Sequence, residues 1–392
     1  MFRRLRNYIK HWRQLLKNMD ELLSRTDEMQ KRLKDVSIRA HDTQDRAYDI
    51  LARTQDVQDR VYDTLSCTGE SRDRIYDIIR QMRENNAQRD MMYWALYKEE
   101  GETVREAQLR FFSGLPKAEG NRRMLQEYLT YLMKQIDDVC RENDIEYWMD
   151  YGTLLGAYRH EGFVPWDDDV DLGMLRADAE KFIEVAAGDD RVQTWCTWKN
   201  IGDGNGLHKV LRVRNGSDSE GVTPFIDIFF YDYCDRDEDS RNVRTSYKSR
   251  MRDMSSELPM AEIEIYRHSD EEAETLRIFD EAIGPIMTEA NETLGVTDKP
   301  ADYIVFGTDN LPAPERIQVT ERTDAMFPTV KLKFEDYEFS APHNYEEYLN
   351  HEYENILSLP NDILSHFVHY DVKETTEELE KLHDEFCNTM ED

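Results

Sequence analysis

The run Phe225–Asp232 reads FIDIFFYD and sets Asp227 between Ile226 and Ile228, inside what has the composition of a buried strand. An acid in such a strand is costly unless it is paired or bound to a metal. A second run makes the same demand. Tyr151–Gly173 reads YGTLLGAYRHEGFVPWDDDVDLG, with Asp167, Asp168, Asp169 and Asp171 crowded beside Trp166 and Val170, and the next basic residue is Arg176. On a strand, the alternation in Asp169-Val170-Asp171 points both carboxylates to one face and Val170 into the core. Two carboxylates on one face can share a divalent cation, and Mg²⁺ takes hard oxygen ligands while leaving positions for phosphate. With Asp227 as the third acid, the set reads as a metal site suited to phosphoryl or nucleotidyl transfer. A purely solvated acidic turn accounts for Asp167 and Asp168 but not for Asp227. An EF-hand fails, because its glycine and closing glutamate are not at their offsets.

The residues before the acids fit the same chemistry. Gly152, Thr153 and Gly156 follow a helix, where glycine allows close backbone approach to a phosphate and Thr153 offers a hydroxyl and an N–H. Arg159 and His160 are placed to meet phosphate charge, against the plain alternatives of salt bridging and loop hydrogen bonding.

Net charge is −32, which argues against a nucleic-acid-binding surface. Five scattered cysteines without a CxxC pair argue against a disulfide framework and a zinc site, and fit a reducing cytoplasm. No apolar run is long enough to span a bilayer, and no signal-peptide core is visible. Residues 1–19 nevertheless read as a basic amphipathic helix, a pattern that lies at an anionic membrane surface or starts a helix–helix seam. Residues 20–98 carry a 14-residue repeat, QDRAYDIL, QDRVYDTL and SRDRIYDII, with Tyr48, Tyr62 and Tyr76 in register. Fourteen residues are two heptads, so the segment is expected to be a coiled-coil stalk joining copies of the chain. Residues 99–392 then read as one α+β domain, a mixed sheet with helices. Its expected elements are a helix over 121–143, strands at 170–174, 210–213 and 224–232, and a charged helical insertion at about 235–294.

The segment Glu142–Val185, with its GTLLGAYRH…PWDDDVD string, closely resembles the LicD family of phosphocholine transferases and fukutin-related proteins. The resemblance extends weakly to Lys209, to FIDIFFYD and to residues 334–360. It implies a nucleotidyltransferase-like fold and a metal-dependent transferase that moves phosphocholine, a polyol phosphate or a sugar phosphate. The donor would be nucleotide-activated, of CDP type, and the acceptor a hydroxyl of a cell-surface glycan or lipid-linked glycan. By resemblance, Asp169, Asp171 and Asp227 would hold Mg²⁺ (or Mn²⁺), with Asp227 taking the acceptor-hydroxyl proton and Asp167 and Trp166 supporting the loop. Gly152, Thr153, Gly156, Arg159, His160 and Lys209 would face the donor phosphates. Arg212, three residues beyond Lys209, has the opposite strand parity and would face away. Tyr353-Glu354 departs from a Tyr-Gly pair common in the family. A nucleotide-sugar glycosyltransferase and an inactive scaffold on a coiled-coil rod are the alternatives. The expected setting is cytoplasmic, with the basic helix offering attachment to the inner membrane face.

Overall fold

The structure is a computed structural model of the chain. It describes residues 69–200, 207–215, 224–235, 270–309, 321–353 and 355–358, with short pieces within 246–254 and 379–384. The chain divides into two compact units, residues 1–93 with 360–365 and residues 94–359 with 366–392. Of the first unit, the described part is helical and belongs to helix α1 (Gly69–Tyr97), in which Ile78, Met82, Met91 and Met92 are exposed. The basic helix at 1–19 and most of the expected stalk at 20–98 lie outside the described residues.

The second unit is mixed α/β. Helix α2 (Val104–Ser113) starts at a reciprocal cap in which the Thr103 hydroxyl and the Glu106 carboxylate satisfy each other's backbone amides. Helix α3 (Asn121–Glu142) runs over nearly the length expected from the sequence. Its buried residues Leu125, Leu129, Leu132, Met133, Ile136 and Val139 recur at helical spacing and form one wall of the core. Strand β1 (Trp148–Met149) leads into helix α4 (Tyr151–His160), which Glu161 ends in the left-handed conformation. Strand β2 (Asp171–Leu175), helix α5 (Arg176–Ala186) and strands β3 (Val192–Asn200), β4 (Leu207–Asn215) and β5 (Ile226–Cys234) follow. The described part of the charged insertion is mainly helix α6 (Asp270–Leu294). Beyond it come β6 (Val296–Thr297), β7 (Tyr303–Phe306), β8 (Glu321–Arg322) and the short helix α7 (Thr323–Met326). Hairpin β9 (Val330–Phe334) and β10 (Tyr337–Ala341) precedes helix α8 (Tyr345–Glu352).

Eight of these strands make one sheet, with β5 at its centre in the order β1-β2-β5-β4-β3 and β6, β7 and β8 attached beside it. The pairing of β2 with β5 is parallel, while β1–β2, β3–β4 and β4–β5 are antiparallel. The main core packs helices α3, α4 and α5 on the sheet through Leu129, Ile136, Leu154, Phe182, Leu172 and Ile228. A smaller cluster of Trp198, Met251, Phe279, Ile283 and Ile286 seats α6 against β3. FIDIFFYD is thus the middle strand of the sheet, which is why its alternation is apolar on both faces and interrupted only by acids.

One glycine is required by this packing. Gly173 in β2 lies opposite Trp148 of β1, and a side chain there would run into the fully buried indole. Gly173→Ala is expected to destabilise the domain by about 1–3 kcal/mol, the range for overpacking a tight core. Urea unfolding of the two proteins measures it; equal midpoints would mean that the indole can shift at no cost.

Candidate metal and phosphate site

Strands β2 and β5 run parallel with an aspartate near the head of each, and register pairs Asp171 directly with Asp227. Paired residues of neighbouring strands point to the same side of a sheet, so these two acids share a face. On the other side of β5, register pairs Asp227 with Arg212 of β4. The Arg212 Nε donates to Asp227 Oδ1 at 3.2 Å, and both residues are buried, at 4% and 5% exposure. The guanidinium also lies 4.1 Å from the centre of the Phe225 ring.

The loop before β2 carries three further acids, two to four residues ahead of Asp171. One carboxylate oxygen each from Asp167, Asp168 and Asp169 lie within 4.8 Å of one another. Asp167 and Asp168 are buried and Asp169 is half-buried. The loop is fixed from outside by α3: Arg122 donates to the Trp166 carbonyl at 3.0 Å and Gln126 to the Asp167 carbonyl at 2.9 Å. An all-carboxylate cluster of this kind has the hard oxygen donors that Mg²⁺ or Mn²⁺ takes, so the residues present fit such an ion.

The start of α4 clamps β2 by its backbone. The Thr153 hydroxyl, at 3% exposure, accepts from the Asp171 amide at 2.9 Å, and the Asp150 amide donates to the Asp171 carbonyl at 3.0 Å. A side chain on Gly152 would meet Asp167 Oδ2 at 2.8 Å, and one on Gly156 would meet the Gly162 carbonyl at 2.5 Å. Thr153 and the two glycines therefore hold the acid loop against the helix. The turn of hairpin β9–β10 closes the outer side. Glu335, in the left-handed conformation, accepts from the Phe163 amide and from Arg123 and Lys117. Burial raises its proton affinity, but the bonds from Arg123 and Lys117 outweigh this and hold the carboxyl below its usual range.

Several expected residues fall in places that the sequence did not specify. The strand begins at Asp171, so Asp169 is not on β2, and its carboxylate groups with Asp167 and Asp168. Asp167 and Asp168, read as loop support, are part of the cluster itself. Lys209 lies on the face of β4 opposite Arg212, and its ammonium is bonded to both carboxylate oxygens of Asp280 on α6 at 2.9 Å. The parity difference between Lys209 and Arg212 is as expected, but the residue facing Asp227 is Arg212. Two-residue alternation fixes which residues share a face, and only the register with β5 decides which face meets the acid.

Arg159 is buried beside Asp167. Its Nη1 donates to the carbonyls of Ser358 at 3.0 Å and Ile356 at 3.4 Å, its guanidinium lies over Phe112, and its Nε has no hydrogen-bond partner among the described residues. Burial lowers its pKa to about 10, against the opposing pull of Tyr353 and Asp167. His160 is packed edge-on between Phe112 and Trp166, and its Nε2 has no hydrogen-bond partner among the described residues. Burial, helped by Arg159, pushes its pKa down to about 4, so it is neutral near pH 7.

Two groups were not singled out from the sequence. Asp150 is fully buried and accepts hydrogen bonds from the Tyr231 and Tyr348 hydroxyls, both at 2.6 Å. It ties α4, β5 and α8 together, and burial raises its pKa. Its only signal was position, immediately before Tyr151-Gly152. Tyr151 is packed on Phe229, and burial, then the charges of Glu352, Asp150 and Asp171, push its phenol well above the ordinary range. An open groove of about 580 Å³ lined by Glu146, Asp302, Tyr303, Asp324 and Phe327 sits by the opposite end of β5, where Tyr303 pairs with Cys234.

The family-level comparison covers this site. Residues 144–265 match the family described as LicD/FKTN/FKRP, nucleotidyltransferase domain. This span holds the acid motif, Arg212 and FIDIFFYD, and stops short of residues 334–360. The lipopolysaccharide cholinephosphotransferase LicD of Haemophilus influenzae is 47% identical over 47 residues, 12% of this chain and 18% of that protein. The human ribitol 5-phosphate transferase FKRP is 41% identical over 56 residues, 14% of this chain and 10% of that protein. An uncharacterized protein of Rickettsia typhi is 44% identical over 57 residues, 14% of this chain and 18% of that protein. The chain thus spans less than a fifth of the length of the curated relatives it matches. The LicD resemblance read in the sequence is shown over this segment.

The His160 environment gives a pH test. A depressed folded-state value means that His160 contributes stability above its unfolded value near 6.5, lost as pH falls from there toward 4. The stability difference between wild type and His160→Gln is expected to shrink by about 2 kcal/mol between pH 7.5 and pH 4.5. Urea titrations at both pH values measure it, and a difference independent of pH would contradict the buried neutral imidazole.

Proposed function

We propose, with the LicD match over residues 144–265 as the premise, that the chain transfers a phospho-substituent from a CDP-type donor to a hydroxyl of a cell-surface glycan. The observation that carries the reading is the pairing of Asp171 with Asp227 on neighbouring parallel strands, directly after a loop in which the carboxylates of Asp167, Asp168 and Asp169 lie within 4.8 Å of one another. The substituent is phosphocholine, a polyol phosphate or a sugar phosphate.

Asp169, Asp171 and Asp227 would hold Mg²⁺ or Mn²⁺, and Asp167 and Asp168, whose carboxylates group with that of Asp169, would offer further oxygen ligands. When bound, such an ion neutralises charge on the attacking and leaving oxygens of an in-line displacement. The acceptor hydroxyl approaches Asp227, which takes its proton as the oxygen bonds to the donor phosphorus. The bond from that phosphorus to the nucleoside monophosphate then breaks, and CMP leaves. Arg212 faces the same carboxylates and supplies positive charge for the donor phosphates, a role for which Lys209 is on the wrong face. Arg159 sets the wall behind Asp167 by gripping the carbonyls after α8. Among the described residues no helix is long and apolar enough to cross a membrane. A lipid-linked acceptor would be met at the membrane surface. The basic helix at 1–19 suits that contact, and the repeat at 20–98 suits a homo-oligomer.

Purified full-length protein with Mg²⁺ is expected to release CMP from at least one of CDP-choline, CDP-ribitol and CDP-glycerol. Asp171→Ala and Asp227→Ala should each lower the rate by at least about 100-fold, the scale of removing one transition-state electrostatic contact. Chromatography of released nucleotide measures it. CMP formed equally by the variants would remove the assigned site, and UDP release from a UDP-sugar would replace the reaction by glycosyl transfer.

A further inference from the structure

Arg212, Asp227 and Asp171 stand abreast across β4, β5 and β2 on one face of the sheet. The arginine is nearly fully buried, stacked on Phe225 and bonded to Asp227 Oδ1 at 3.2 Å. Its fixed positive charge therefore lies against a carboxylate that the proposed function gives to a divalent cation. A cation entering alone meets that charge and competes with it for Asp227. A cation entering with a diphosphate does not, because phosphate oxygens are themselves a preferred partner for a planar guanidinium.

From this we infer that Arg212 couples the two ligands: it makes divalent-cation binding at the aspartate site depend on the phosphates of the donor. The guanidinium satisfies Asp227 while the site is empty of phosphate and pairs with a donor phosphate once the ion arrives with it. The inference rests on the proposed metal site and adds an order to its use. The ion and the activated donor bind as a unit, so the site does not fill with metal and trap it unproductively. Geometry separates this role from plain structural packing. A structural arginine would leave cation affinity unchanged or lower it when lost, whereas a competing one raises it.

Equilibrium dialysis of the full-length protein against Mn²⁺, with and without inorganic diphosphate, tests the coupling directly because solution complexes equalise across the membrane. Wild type is expected to bind Mn²⁺ at least about tenfold more tightly when diphosphate is present, within the usual range of coupling between two ligands. Arg212→Gln should bind Mn²⁺ alone about tenfold more tightly than wild type and gain little from diphosphate, while Arg212→Lys, which keeps the charge but not the planar fork, should bind Mn²⁺ alone as weakly as wild type and gain less than wild type from diphosphate. Wild-type affinity that ignores diphosphate, or an Arg212→Gln protein that binds Mn²⁺ alone no better than wild type, overturns the inference. If circular dichroism shows Arg212→Gln unfolded, the wild-type and Arg212→Lys measurements decide it. Binding of Mn²⁺ without coupling removes this inference only. Absence of binding under both conditions removes the metal site as well.

Discussion

The pairing of Asp171 with Asp227 at the heads of two parallel strands is the constraint on which the arrangement depends. Two carboxylates on adjacent strands repel, and three more stand in the loop before β2. A sheet that buried them for stability alone would be a poor design, because paired apolar residues would hold the same strands without the penalty. Within the chain the repulsion is met by Arg212 on Asp227 and by Arg159 behind Asp167.

The rest of the unit can be understood as the frame for that centre. Helix α4 fixes β2 through Thr153 and Asp150, and the close approach at Gly156 lets the chain fold back so that the acid loop meets the helix start. Arg122 and Gln126 of α3 hold the loop carbonyls, and Glu335 of the β9–β10 turn holds its outer bend. Asp150 with Tyr231 and Tyr348 joins three elements at the back of the site with short hydrogen bonds in a dry environment, where such bonds are strong and costly to leave unmade. These contacts come from segments nearly 200 residues apart in sequence, so the site exists only once the whole domain has assembled.

Much of this was legible in the sequence. The helix over 121–143 appeared as Asn121–Glu142, and the strands around 170–174 and 224–232 appeared within one residue or two of their expected bounds. Those elements have strong periodicity or an unbroken apolar run, which is local information. Val170 was expected in the core and is fully buried. What sequence could not supply was register. It gave Lys209 and Arg212 opposite faces without saying which face meets Asp227, and it extended β2 backward to Asp169, whereas the strand begins at Asp171. Asp150 was missed because a single acid before a helix reads as an N-cap, and its two tyrosine partners lie 81 and 198 residues away. The family match covers the segment that holds the candidate acids and Arg212, and it ends before helix α8.

The central claim is that the aspartates at the heads of β2 and β5 bind one divalent ion together with the donor phosphates. Crystals grown with Mn²⁺ and a CDP-linked donor, measured for anomalous scattering, test it most directly. The account predicts a manganese peak at about 2.1 Å from carboxylate oxygens of Asp171 and Asp227, joined by Asp169, with the diphosphate on the same ion and against Arg212. Manganese bound to Asp167 and Asp168 alone, or phosphates seated away from Asp227, would contradict it.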